Sequence, residues 1–346
     1  MGANSKDGFY SLYDGFCRGK GDYLTVIKGG PGTGKSGFMR KIAQCAEARG
    51  LDTEEIPCSG DPHSLDGIYI PALKRGWVDG TAPHSTDPAR FGVNGDYVNL
   101  GEFFTGIRDA EERAETDALY SAYKQEYSAA YSYLASAAAL RRGYIPPLFT
   151  GEVREQIERR IRNILRRCHV RGDKDAAGKP RRLERFLHAI SCEGEIWLSG
   201  EIEKQCSVIY AFDNGLDGAD TALKIAAVAA EECGAEAILC RSPLAPARLD
   251  ALILPGAGVG FTSNEYALPS ARHIRLDAAI DPAALQGHRT ELREGQQTEA
   301  RLKTLAIEHL KRAKALHDEL EEHCKAHMDF AALTKYTQEY TAQIFS

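Results

Sequence analysis

The sequence predicts an α/β protein of two tandem domains, each a parallel sheet flanked by helices and finished by an appended helical hairpin. Three observations carry the prediction. A β-rich segment, a glycine-rich loop and an amphipathic helix come early in the chain; the same succession returns about 184 residues later; and each copy closes in long stretches rich in Ala, Glu, Arg and Tyr, which favour helix. A length of 346 residues suits two ordinary domains.

In the first copy the pattern predicts a strand at Tyr23–Lys28, a helix at 35–49, a strand at 53–57 and a third strand ending near Val78. The second copy reads as a strand at 207–212, a helix at 221–233, a strand at 237–240 and a third ending near Thr262. Such alternation argues for parallel sheets covered by helices. The repeat is clearest where Leu65-Asp66-Gly67-Ile68-Tyr69-Ile70-Pro71 is echoed by Leu249-Asp250-Ala251-Leu252-Ile253-Leu254-Pro255, 184 residues on, with Gly76 matched by Gly260. Shorter echoes pair Lys41-Ile42-Ala43 with Lys224-Ile225-Ala226 at 183, and both Val26-Ile27 with Val208-Ile209 and Cys58 with Cys240 at 182. Val98 and Leu100 meet Ile274 and Leu276, and Tyr133-Leu134 meet His309-Leu310, at 176. Small loop insertions or deletions account for the drift.

Helices over 108–141 and 152–170 close the first copy, and helices over 296–326 and Phe330–Ile344 close the second. Each pair is expected as a hairpin on its own sheet. The segment 172–180, with its glycines, lysines and proline, reads as an exposed linker, which gives domains of 1–175 and 181–346.

Between the first strand and helix stands Gly29-Gly30-Pro31-Gly32-Thr33-Gly34-Lys35-Ser36, with Gly37 following. This satisfies G-x-x-x-x-G-K-[ST] in the strand–loop–helix context that gives the motif its meaning. Glycines let successive backbone N–H groups turn inward around a phosphate, and the helix adds its positive end. Lys35 is expected to reach the β- and γ-phosphates, and Ser36 to ligate Mg²⁺. A second magnesium ligand is expected at a strand end, where Gly76-Trp77-Val78 finishes in Asp79. Gly80 follows, where fast ATPases often carry glutamate, so slow turnover is expected.

Asp61, His63, Asp66, Thr81 and His84 fall in loops expected beside the phosphates. Asp66 has a twin in Asp250 and reads either as a turn or capping residue or as part of the chemistry. His63 and His84 face Ala247 and Leu268 in the other copy, which favours site duties over the plainer reading of exposed loop histidines. The catalytic candidates are Lys35, Asp79 and His84. No N-K-x-D element is present, so ATP is expected over GTP.

The equivalent loop of the second copy has no lysine but carries Asp213, Asp217 and Asp220, and Ser263 replaces Asp79. Like charges in a partly desolvated pocket oppose a triphosphate, so this copy is expected to be silent. A divalent cation on the three aspartates is the alternative.

Residues 141–185 hold 14 Lys or Arg against 6 Asp or Glu, in a chain of net charge −6. The arginines at 159, 160, 162, 166 and 167 surround an apolar stripe of Ile157, Ile161, Ile164 and Leu165. The segment 154–185 is thus a solvated face, a nucleic-acid contact or an arginine closing over ATP. Tyr120, Tyr123, Tyr127 and Tyr131 form one helical stripe, read as helix packing rather than base stacking. His323 and His327 share a turn, but a third zinc ligand is not apparent. Nine cysteines without a CxxC pair suit reduced thiols and a cytoplasmic setting. Apolar runs are too short to cross a bilayer, and neither an export segment nor a lipid anchor is legible at the start.

The phosphate loop at 29–36, Ser64-Leu65-Asp66-Gly67 with Ile70-Pro71, and Asp79-Gly80-Thr81-Ala82-Pro83-His84 occur in order. Together they resemble a family of uncharacterised bacterial predicted ATPases built from two tandem P-loop NTPase domains. The resemblance spans nearly the whole chain and implies two P-loop NTPase-like domains, ATP binding, and Asp79 and His84 in the site. In that family the second domain commonly keeps a P-loop; this chain departs there. Three activities remain open: Mg²⁺-dependent ATP hydrolysis, a small-molecule or nucleotide kinase, and an ATP-dependent switch that displays a surface to a partner.

Overall fold

Short runs rich in branched and aromatic residues, buried along most of their length, assemble into two sheets of five and six strands, with a two-stranded hairpin beside each. The computed structural model describes residues 1–83, 86–172, 180–213, 216–263, 268 and 270–346. The first half contains β1 (Gly2–Ser5), β2 (Gly8–Ser11), β3 (Tyr23–Lys28), α1 (Lys35–Glu47), β4 (Glu54–Pro57), β5 (Leu65–Ile70), β6 (Arg75–Asp79), β7 (Gly95–Asn99), α2 (Ala110–Tyr144) and α3 (Gly151–Arg167). The second contains β8 (Arg182–Arg185), β9 (His188–Ser191), β10 (Gly194–Trp197), α4 (Ser199–Gln205), β11 (Val208–Phe212), α5 (Ala219–Glu232), β12 (Ala237–Arg241), β13 (Leu249–Leu254), β14 (Val259–Thr262), β15 (Arg272–Ile274), α6 (Pro282–Gly287), α7 (Arg289–Lys325) and α8 (Phe330–Ile344). Asp109, Thr150 and Asp329 cap α2, α3 and α8 by accepting hydrogen bonds from the first-turn amides. Among the described residues, no helix is long and apolar enough to cross a membrane.

The chain is α/β as expected, but its sheets are mixed rather than parallel. The first runs β4-β5-β6-β3-β7, with β3 parallel to β6 and β7 and β5 antiparallel to both neighbours. The second runs β15-β11-β14-β13-β12-β8 and repeats that pattern around β11 and β13. The cause lies in the most obvious part of the repeat. Only one tight turn, Pro71–Leu73 or Pro255–Ala257, joins the strands on either side. A parallel crossover needs about a dozen residues or more, so the strands turn back on themselves.

Sheet register corrects several of the pairings read from sequence. Gly67 faces Val78 and Ala251 faces Thr262, which confirms 184 for this hairpin. The buried residues Phe38, Met39, Ile42 and Ala46 of α1 meet Ala222, Leu223, Ala226 and Ala230 of α5 at that same spacing, not at 183. Ile56 faces Gly67 as Cys240 faces Ala251, so the twin of Cys240 is Ile56 rather than Cys58. Val26 beside Val78 corresponds to Ala211 beside Thr262, a spacing of 185. The phosphate loop is therefore one residue longer than its counterpart. The copies also share a feature that the sequence reading missed: hairpins β1–β2 and β9–β10. In these, the Ser5 and Ser191 hydroxyls donate to the carbonyls of Gly8 and Gly194 and accept from the amides of Asp7 and Glu193.

The helical hairpins also differ from expectation. The long helices α2 and α7 pack antiparallel on each other, with Ala130, Leu134, Ala137 and Ala138 meeting Ala306 and Leu310. The helix after each of them then docks on the opposite half. Ile157, Ile161 and Leu165 of α3 enter the core formed by α5 and the second sheet, whereas Leu333, Tyr336 and Tyr340 of α8 join Phe38, Met39 and Trp77 of the first. Residues 1–175 and 181–346 thus each complete the other's core. The described side of the linker ends at Gly172, and residues 173–179 lie outside the described residues. On α3, Arg162 pairs with Glu158 and Glu232, and Arg160 donates to the Arg275 carbonyl. The remaining arginines of this helix are exposed on the second half, so closure of α3 over the phosphate loop is not its arrangement.

Trp77 is fully buried under the first sheet, and its Nε1–H donates to the Tyr340 hydroxyl at 2.9 Å. Tyr340→Phe is expected to leave this donor unpaired and cost about 1–3 kcal/mol, read as a lower urea midpoint for the whole chain. An unchanged midpoint would contradict the exchange.

Candidate functional site

The first-half site is built where β3 ends and α1 begins. Gly29, Gly32 and Gly34 take φ values of 150, 73 and 84°, a region that costs other residues strain. Gly34 caps α1, so the positive end of that helix opens at the loop. Lys35 folds back along the loop, its Nζ donating to the carbonyls of Gly29 and Gly30 at 2.8 Å each. The Ser36 hydroxyl accepts from the Leu65 amide at 2.9 Å, tying the helix start to β5.

β6 lies directly beside β3, with Asp79 level with Ile27. That register delivers the Asp79 carboxylate to 3.7 Å from Lys35 Nζ. The amide and hydroxyl of Thr81 both donate to Asp79 Oδ1, at 2.8 and 2.5 Å, and fix its orientation. A side chain at position 80 would put its Cβ 2.2 Å from Val26, so the glycine following Asp79 is imposed by packing on β3.

Not every sequence candidate converges here. Asp61 does: against the upward push of burial, the Ser64 hydroxyl and the Lys314 charge hold its carboxyl below the usual range. Asp66 is buried within β5 rather than in a turn or cap, and borders the same space. His63 turns outward, 81% exposed, and meets Glu193 at 2.8 Å. His84 lies outside the described residues. His327 pairs with Glu112 at 2.6 Å, and among the described residues no group of side chains forms a metal cluster.

The loop borders a cavity of about 1300 Å³ whose opposite walls come from α2 and α7. These walls are what the sequence reading missed. Tyr120, Tyr123, Tyr127 and Tyr131 line it from α2, and Lys314, His317, Glu321 and Lys325 from α7. The tyrosine stripe does pack against the neighbouring helix, as expected, Tyr123 on His317 of α7 and Tyr127 and Tyr131 on the core between the two, yet it also borders the same cavity as the loop. A Cβ on Gly32 would fall 2.7 Å from the Glu321 carbonyl, and one on Gly34 3.0 Å from Leu333. The second half therefore roofs the first half's loop. Nothing local in residues 314–325 announces that they reach a loop some three hundred residues away.

At the twin position the space is filled from within. The Phe149 ring packs on Gly218, where a Cβ would lie 2.1 Å from it. Asp217 is held by Arg141 at 2.7 Å and by Arg248, and Arg141 also grips Glu299 at 3.0 Å. Asp213 accepts from the Leu276 amide, while Asp220 accepts from the Leu249 amide and pairs with Lys224. The three aspartates, expected from the sequence to oppose a triphosphate across a pocket, are each engaged by a partner within the chain. Ala219 and Asp220 occupy the places of Lys35 and Ser36. No family model, curated protein or solved structure matches the chain.

Asp250, the twin of Asp66, holds His188 at 3.0 Å beneath Trp197, and Glu195 takes the other ring nitrogen at 3.3 Å while pairing with Lys303. Burial lowers the His188 pKa, but the two carboxylates win and raise it. Burial opposes ionisation of Glu195 too, but His188 and Lys303 hold its pKa down at about 2. The stabilisation from Glu195 is thus complete above its ordinary value of 4.5 and lost as pH falls toward about 2. That from His188 is complete below 6.5 and lost as pH rises through its folded value. Glu195→Gln is expected to flatten the acid limb of a stability–pH curve from urea titrations; an unaltered limb would refute the assignment.

Proposed function

We propose that the first-half loop binds ATP with Mg²⁺ and that the protein acts on the γ-phosphoryl group, releasing ADP, with slow hydrolysis when water is the acceptor. The observation that carries this reading is the Lys35 ammonium, folded back on the glycine-rich loop at the start of α1 and 3.7 Å from Asp79. The residues fit the group. Gly29, Gly32 and Gly34 have the backbone freedom that a phosphate cradle needs, and the Lys35 ammonium, bonded to the carbonyls of Gly29 and Gly30, lies against the same loop and would turn to the anion. Ser36 and Asp79 would hold Mg²⁺, Asp79 through water, and the metal would supply charge neutralisation across the β- and γ-oxygens. Lys35 and the loop amides would stabilise charge in the transition state. The resemblance to tandem P-loop ATPases supports the same reading.

Slow hydrolysis follows from Gly80: the position after Asp79 leaves no room for the glutamate that positions water in faster enzymes. A second reading, an ATP-dependent switch, is favoured by the close approach of α7 and α8 to Gly32 and Gly34, through which nucleotide and second half would sense each other.

Lys35→Ala is expected to abolish ATP binding in calorimetry without lowering the urea midpoint. Undiminished affinity would sink the proposal, and ATP turnover of several per second in the unaltered protein would remove the switch.

A further inference from the structure

The cavity above the phosphate loop is larger than one ligand needs, and its far wall is aromatic. Small-ligand pockets commonly hold about 300–1000 Å³; this one holds about 1300 Å³. Along α2 the rings of Tyr120, Tyr123 and Tyr127 succeed one another at centroid distances of 6.0 and 5.1 Å. Helix packing alone does not require them. At the spacing of 176 that superposes the buried Leu134 on Leu310, their counterparts on α7 are Gln296, Glu299 and Lys303.

The same comparison singles out His317. Its twin is Arg141, which crosses to the other half's loop and grips Asp217 at 2.7 Å. His317 borders the same cavity as the glycine-rich loop, close enough to Lys35 to feel its charge. Its ring lies 5.4 Å from that of Tyr123. Burial keeps its pKa below the usual imidazole value, aided by Lys314 and Lys35 and opposed by Glu321 and Asp318. A neutral imidazole can accept a proton.

We propose that this cavity binds a nucleoside as the phosphoryl acceptor, its base packed against the Tyr123 ring and its sugar hydroxyl directed at His317. Tyrosine faces stack any planar base, and Asp61 and Ser128 on the cavity border offer partners to a sugar. The inference rests on the ATP reading above. In the transfer, the acceptor hydroxyl oxygen bonds to the γ-phosphorus, the bond from that phosphorus to the β–γ bridging oxygen breaks, ADP leaves with the electron pair, and the hydroxyl proton passes to His317. The products are a nucleoside phosphate and ADP.

The test offers adenosine, guanosine, cytidine and uridine in turn, measuring their binding by calorimetry and label transfer from γ-labelled ATP. At least one is expected to bind and gain label. Tyr123→Leu is expected to raise its KM about tenfold or more, and His317→Gln to lower kcat about 100-fold or more, with ATP affinity unchanged in both. If ATP binds but no nucleoside binds or gains label, the inference falls and the ATP reading stands; so too if Tyr123→Leu leaves KM where it was. If the unaltered protein does not bind ATP, both fall.

Discussion

The antiparallel crossing of α2 and α7 is the contact on which the rest of the molecule depends. Ala130, Ala137 and Ala306 let the two helices approach closely around Leu134 and Leu310. Along this stretch each helix buries its apolar stripe chiefly on the other, with β1 packed beside α2 and β9, through Ile190, beside α7. Having crossed, each emerges over the opposite half, and the following helix settles on the opposite sheet. The phosphate loop acquires its roof in this way, and so does its twin.

The twin loops show how one framework yields two outcomes. Both follow a central strand, precede a helix and receive the end of a long helix from the other half. In one, the incoming residue at the crossing position is Arg141, which finds a carboxylate on the loop itself and is satisfied. In the other it is His317, and the loop offers Thr33, bonded to the Gly30 carbonyl at 2.8 Å. The second-half loop supplies its own anion, and Phe149, from the connection between α2 and α3, plugs it, so its charge is balanced within the chain. The glycine-rich loop leaves its lysine beside an open cavity.

Much of this was legible in the sequence, and the limits have physical causes. Strand β3 and helix α8 were read to the residue, because a β-branched run ending at a glycine loop and a capped amphipathic segment are local signals. Lys35 and Asp79, which lie 3.7 Å apart, could be singled out because a glycine-rich motif marks one and the end of an apolar strand the other. Strand direction was misjudged because the Pro71 and Pro255 turns are recognised by their length, not by periodicity. The exchange of α3 and α8 was invisible because an amphipathic helix states that it has a buried face, not which sheet covers it. His317, and the placement of the tyrosine stripe over the first-half loop, were hidden for that reason: both positions are set by the crossing.

The exchange also bears on how such a chain could arise. A single copy, cut free of its twin, would carry a long helix with no companion and a sheet lacking its covering helix, while its own terminal helix had nowhere to dock. Two such copies could fold only together, each lending the other its last helix, as a symmetric pair. Covalent joining of the two then frees each active region from having to match its neighbour. The present divergence, one loop open and the other sealed, is a freedom that identical subunits do not possess.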